Sequence, residues 1–369
     1  MDAIRDVLPS TADLIAADFA AGQHKGFQLY VSLRGQVIAD VASGEAAPGV
    51  PMLPETLVCW FSSGKPLTTM AIGLLWQRER LTLDDAVADH IPEFAQNGKE
   101  SITIRHLLTH TAGLPGVETG YPQATWQDSL ATICAAPIEA DWVVGRTAGY
   151  HTMSSWFVLG ELIARLSGRL FDTFVREEIC EPLGMQETWL AVSPDRAAEF
   201  GDRLGHTWRR VGRNLEDLNW HTPPRLTRAS PGSSSRGPIR ELGLFYEALL
   251  AALRGDGDPF FAQTVEAMTT PHRVGEFDRA FQHIVDFGLG FLVNSNRYGA
   301  DTVPYSFGRH ASPRAFGHGG AQSSIGFADP EHGLVVAWAT NARIGEPRHN
   351  ARNRAINTAI YEDLGLNIV

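Results

Sequence analysis

Ser62 precedes Lys65 by three residues in the stretch Ser62-Ser63-Gly64-Lys65. On a helix that spacing sets both side chains on one face, about 5–6 Å apart at Cβ. A serine hydroxyl is a weak nucleophile until a neighbouring base takes its proton, so a hydroxyl beside an amine is the minimum for attack on a carbonyl. It matters that the amine is a lysine. Of 31 basic residues only three are lysines, at 25, 65 and 99. Arginine stays protonated at any ordinary pH, whereas a buried lysine loses its proton and serves as a base. The plainer alternative is a capping serine followed by a surface lysine. Two further groups bear on the same chemistry. Tyr150-His151-Thr152 offers a phenol that can relay a proton, and His318-Gly319-Gly320 offers backbone that a substrate can approach closely.

Periodicity shows which elements must hold these groups. Leu67, Met70, Ala71, Leu74 and Leu75 follow the i, i+3, i+4 rule and predict a helix starting near Ser62. Pro66 lacks an N–H and belongs in its first turn. Ser62 then stands at a helix N-terminus, where the dipole favours developing negative charge. Met1–Gly22 reads as an amphipathic helix, and Phe27–Ser32 and Gln36–Val41 as a hairpin about Arg34-Gly35. Trp156–Leu166 and Ile239–Leu253 carry helical patterns. Phe287–Val293, Ser323–Ala328 and Leu334–Ala339 read as strands, and Asn350–Leu364 as a closing helix. From about 80 to 230 the chain reads as helices and long loops, with Gly and Pro clusters at Ala112–Pro122 and Pro223–Pro238. The fold class expected is α/β of the α+β kind. An antiparallel sheet is built from N- and C-terminal strands (1–80 and 230–369) and flanked by helices, with a mostly helical inserted domain (81–229) and the site in the cleft between them.

Composition narrows the function. The net charge of −11 argues against a nucleic-acid partner, because phosphate binding needs clustered cationic surface. No run approaches the roughly 18 apolar residues of a membrane span, and the N-terminus does not read as a signal peptide. Cys59, Cys134 and Cys180 are odd in number and widely spaced, so neither a disulfide framework nor a metal site follows. They read as reduced thiols in a cytoplasmic protein. Cys59 lies near Ser62 in sequence, and a reactive thiol there is weighed against a small buried apolar residue. His106 and His110 have the i, i+4 spacing of a zinc pair, but Leu107 stands where the metalloprotease motif has glutamate.

Six blocks appear in order: Ser62-x-x-Lys65; Arg105-His106-Leu107-Leu108-Thr109-His110-Thr111-Ala112-Gly113-Leu114; Tyr150-His151-Thr152; Pro182-Leu183-Gly184-Met185; Phe287-Gly288-Leu289-Gly290-Phe291; and His318-Gly319-Gly320. Together they resemble the serine β-lactamase and penicillin-binding-protein superfamily, nearest its class C-like esterase and transacylase branch. The resemblance implies Ser62 as nucleophile, with Lys65 and Tyr150 moving the proton. It implies an oxyanion hole from the backbone N–H groups of Ser62 and Ala321, and a substrate wall from Thr152, His318, Gly319 and Gly320. It implies no cofactor and no metal, and makes the His106–His110 stretch structural.

Two departures from β-lactamases set the expected substrate. Thr152 stands where the Tyr-x-Asn block has Asn, and its single, shorter hydroxyl replaces an amide. His318 replaces the lysine of Lys-Thr-Gly, so the fixed cation facing a substrate carboxylate is weakened or lost at neutral pH. Both argue for a carboxylesterase or transacylase acting on small esters or amides, with water, an amine or an alcohol resolving the acyl-enzyme. The alternatives are a β-lactamase or D-amino-acid amidase or peptidase, and a non-catalytic ligand-binding member of the fold. Arg314 and Arg343, near strand ends, are candidates for a substrate anion contact. The loop Trp208–Trp220, with Trp142 and Trp156, is a candidate for shaping the cleft, with core packing as the alternative.

Overall fold

Every residue from Leu334 to Thr340 is buried, and successive side chains enter two different cores. Leu334, Val336 and Trp338 point into one, and Val335, Ala337 and Ala339 into the other. A strand covered on both faces reads as an unbroken apolar run, which is how this segment is written. In this computed structural model, which describes residues 2–367, it lies within a seven-stranded antiparallel sheet. In chain order the strands are β1 (Gly26–Leu33), β2 (Gln36–Ala47), β3 (Val50–Pro51), β4 (Leu292–Val293), β5 (Phe316–Gly320), β6 (Ser324–Asp329) and β7 (Leu334–Thr340). Their spatial order is β4-β5-β6-β7-β1-β2-β3. Residues 52–291 therefore leave the sheet and return to it.

One face is covered by helix α1 (Pro9–Ala20) packed with the closing helix, Glu346–Asp363, through Ala12, Ile15, Ile356, Ile360 and Tyr361. The other face takes Ile239–Leu253 through Leu242, Phe245, Tyr246 and Leu249. Beyond it lie α2 (Lys65–Gln77) and α3 (Ser154–Ser167), which contact each other. Among the described residues no helix is long and apolar enough to cross a membrane.

Four sequence expectations change in detail. The N-terminal helix is interrupted: a turn at Asp2–Arg5 is followed by α1 from Pro9, which has no N–H to continue the first turn. Phe287–Val293 pairs in the sheet only at Leu292–Val293, because the backbone turns at Gly290 (φ 75°). Helix α2 is buried on nearly all sides, Pro66, Thr68, Thr69, Ile72 and Gly73 included. A helix apolar all round is one held inside the protein, so the stripe read from sequence understates its packing. Finally, Trp208–Val211 and Asn214–Asp217 form a hairpin where the sequence reads as a loop, and its first strand pairs with Ala342–Arg343. Short strands rich in Arg, Glu and Asp carry too little apolar alternation to be read from sequence.

Candidate active site

Ser62 sits on a tight turn, Phe61–Gly64, that leads directly into α2 at Lys65. The residue before it, Phe61, has φ 50°, a left-handed conformation that costs a non-glycine residue about 1–3 kcal/mol. Phe61 is held there edge-on to Trp220, ring centres 4.7 Å apart. The turn is tied to the sheet from below. Ser324 Oγ donates to the Trp60 carbonyl at 2.7 Å and lies 3.0 Å from Ser63 Oγ. A side chain at Gly320 would place its Cβ 2.1 Å from the same carbonyl, so glycine is what lets β5 run beside the nucleophile. β4 pairs only with Phe316 and Gly317, which leaves the cleft-side edge of β5 free along His318–Gly320.

Lys65 is completely buried. Its Nζ lies 3.0 Å from Ser62 Oγ and donates to the carbonyls of Thr152 (2.9 Å) and Gly232 (2.6 Å). The amine also lies over the rings of Trp156 and Tyr150, at 5.1 and 5.4 Å. None of its hydrogen-bond partners is a carboxylate, and burial holds the ammonium well below the usual lysine range. Lys99 shows that rarity alone does not single out a base. It is as buried as Lys65, but its ammonium donates to three backbone carbonyls and meets no hydroxyl. Lys25 lies against the ring of Trp208.

Tyr150 enters from the loop before α3. Burial raises its phenol pKa, and the nearby Ser62 hydroxyl opposes that rise. The geometry falls short of a formed hydrogen bond, so the phenolic oxygen is buried without a partner. Asp278, which the sequence reading missed, fixes this loop. Its Oδ1 accepts from Tyr150 N at 3.1 Å, and its Oδ2 pairs with Arg273 at 2.9 Å, both side chains almost fully buried. Asp278→Ala leaves Arg273 as an uncompensated buried charge. An expected loss of about 3–5 kcal/mol of stability, read by urea unfolding, follows from that alone.

His318 is buried; its Nδ1 donates to the Gly319 carbonyl at 2.8 Å, and its Nε2 is unpartnered. Burial, then the nearby Lys65, push its pKa down to about 3. The ring is neutral at neutral pH and supplies no cation.

These groups open on a cleft of about 340 Å³ lined by Ser62, Tyr150, Thr152, His318, Gly319 and Ala321, with Arg343 and Glu346 as charged and Phe281 and Tyr305 as aromatic lining residues. A depression of about 660 Å³ beside Ser10 and Glu362 is larger but holds none of the reacting groups, so chemistry and not volume marks the site. Arg314 lies outside the cleft, exposed and paired with Glu266 at 3.0 Å, which corrects its expected role. Gly320 stands under the nucleophile turn instead of facing the cleft. Trp142 and Trp156 are core residues, and Trp220 reaches the site only through Phe61. His106 caps the helix at Ile104–Leu108, and His110 follows that helix with φ 59°, so the two do not share a helix face. Cys59 is buried, and burial pushes its thiol pKa up, away from reactivity.

Gly232 is the other residue that sequence reading missed. It lies in a Gly and Pro cluster that reads only as a loop. A Cβ there would sit 2.9 Å from Lys65 Nζ and 3.0 Å from the Thr152 carbonyl. Gly232→Ala displaces the amine, and a misplacement on the order of 1 Å costs about 100-fold in rate. Steady-state kinetics should show that loss, with circular dichroism close to that of the parent.

The Beta-lactamase family model matches residues 11–360, and the chain belongs to that family. The esterase/beta-lactamase LipL of Mycobacterium tuberculosis is 27% identical over 361 residues, covering 88% of this chain and 79% of LipL. A penicillin-binding-protein homologue from Caulobacter crescentus superposes with a TM-score of 0.76 at 27% identity, over 97% of this chain and 98% of its own. EstCE1, described as a hydrolase with promiscuous acyltransferase activity, shares the fold with a TM-score of 0.80 at 21% identity, over 98% of this chain and 100% of its own.

Proposed function

We propose that this protein is a serine esterase or transacylase that forms an acyl-enzyme on Ser62. The observation that carries the reading is the 3.0 Å contact between Ser62 Oγ and a buried lysine amine that has carbonyl partners and no carboxylate partner. Ser62 Oγ attacks the substrate carbonyl as Lys65 takes its proton. Tyr150 passes a proton to the departing alkoxide or amine. The backbone N–H groups of Ser62 and Ala321 face the developing oxyanion, each worth about 3–4 kcal/mol in the transition state. Water, an amine or an alcohol then takes the acyl group.

A neutral His318 and the short Thr152 side chain argue against efficient hydrolysis of carboxylate-bearing lactams. LipL is described as an esterase/beta-lactamase and EstCE1 as a hydrolase with acyltransferase activity, which supports acyl transfer in general. Glu346 at the cleft favours a second reading, an amidase for substrates that carry an ammonium group. A cytoplasmic place of action fits three buried free cysteines, and the expected partners are a small acyl substrate and an amine or alcohol acceptor.

Intact mass spectrometry after brief exposure to short p-nitrophenyl esters, with peptide mapping, tests the proposal. An acyl mass on the Ser62 peptide is expected, and faster decay with added amine or alcohol would mark a transacylase. A chromogenic cephalosporin turned over much faster than p-nitrophenyl acetate would overturn the reading of Thr152 and His318. Amino-acid amides outpacing the ester would establish the second reading.

A further inference from the structure

His206, Asp217 and His221 converge away from the reacting groups, at the base of the hairpin flap whose first strand pairs with Ala342–Arg343. One ligand atom from each lies within 4.8 Å of the other two. His206 Nδ1 is 2.6 Å from Asp217 Oδ2, and His221 Nδ1 is 3.9 Å from Asp217 Oδ1. The two imidazoles are stacked with centres 3.6 Å apart and planes 9° from parallel. The side chains are only 18–27% exposed.

We propose that His206, Asp217 and His221 form a binding site for a divalent transition metal of the zinc class. Two imidazole nitrogens and one carboxylate oxygen are donors suited to Zn²⁺, with a fourth position left for water. Two of the three residues are held by constraints of their own. His206 N donates to the Ala46 carbonyl on β2 at 2.8 Å. Asp217 ends a hairpin strand, and its Oδ1 accepts from Asn219 N at 2.7 Å, a contact that orients a metal-binding carboxylate. A histidine–carboxylate hydrogen bond by itself would explain His206 and Asp217. It does not explain His221, whose Nδ1 is buried with no hydrogen-bond partner. Such an atom is costly unless something fills its lone pair or takes its proton.

Binding requires two local changes. The ion takes the place of a proton on His206 Nδ1, and one ring turns, since near-parallel rings this close do not both aim an in-plane lone pair at one ion. Trp220, next to His221, rests edge-on against Phe61 beside Ser62. A bound ion therefore fastens the flap to the wall of the acyl-transfer cleft.

The test uses the full chain, stripped with chelator. Zn²⁺ is titrated against a chromophoric competitor, for the parent and for His206→Ala, Asp217→Asn and His221→Ala, with His272→Ala as a control remote from the cluster. One Zn²⁺ per chain is expected. Partners that merely orient a ligand are worth about 10–100-fold in affinity, so loss of a direct ligand should weaken binding by about 100-fold or more. A second measurement needs no variant: diethyl pyrocarbonate labelling with and without Zn²⁺, read by peptide mass spectrometry. Zn²⁺ should protect His206 and His221 and leave His272 labelled. Absence of saturable binding, equal affinity in all the variants, or protection elsewhere would overturn the site.

Discussion

Ser62→Ala is expected to reduce ester turnover by about a millionfold and to remove the acyl adduct altogether. Removing a nucleophile that works as a unit with its base costs about as much as removing the whole unit. The substitution deletes one oxygen that touches Lys65 Nζ and leaves the two carbonyl acceptors of that amine in place. The protein should therefore fold as the parent does. Thermal unfolding beside single-turnover kinetics checks both halves. Activity retained in the Ser62→Ala protein would mean a different nucleophile and would end the assignment.

The second large effect concerns Lys65 and has opposite consequences for activity and stability. Lys65→Met should abolish acylation to a similar degree, because no other amine reaches Ser62 Oγ among the described residues. Its effect on stability depends on pH. In the folded protein burial keeps the Lys65 pKa well below 10.5, whereas in the unfolded chain it lies near that value. Above 10.5 both states are neutral and pH has no effect through this group. Between the folded pKa and 10.5 the unfolded chain binds a proton that the folded protein does not, so stability falls as pH falls, by up to about 1.4 kcal/mol per pH unit. Lys65→Met removes that slope. Urea unfolding at pH 7, 8 and 9 should show the parent gaining on the variant as pH rises. Parallel curves would mean that Lys65 is protonated in the folded state, and a protonated Lys65 is no base. Lys65→Arg should be inactive at every pH in this range, since a guanidinium keeps its proton.

The expected losses at Gly232 and Asp278 arise from residues that carry no motif. Neither residue takes part in bond making. Gly232 is needed because the space beside Lys65 Nζ is already full, and Asp278 because the Tyr150 backbone and Arg273 need one shared acceptor. Nothing local in sequence signals either role: Lys65 lies 167 residues from Gly232 and Tyr150 lies 128 from Asp278, and only Arg273, five residues from Asp278, is a near neighbour. Arg314 shows the converse. Its place near a strand end suggested an anion contact, but the strand delivers it to the outer surface, where Glu266 meets it.

What the sequence by itself determined is whatever depends on short-range order. The three-residue spacing of Ser62 and Lys65 put hydroxyl and amine on one turn, and the apolar run Leu334–Ala339 announced a strand. Ordered blocks along the chain named the family. Tertiary structure alone decided the state of those groups. The Lys65 pKa is depressed because Trp156, Tyr150 and the Gly232 loop enclose the amine, and His318 is neutral because it is buried near the same amine. Desolvation is a sum over neighbours drawn from the whole chain. Residue type fixes which proton can move, and packing fixes at what pH it does.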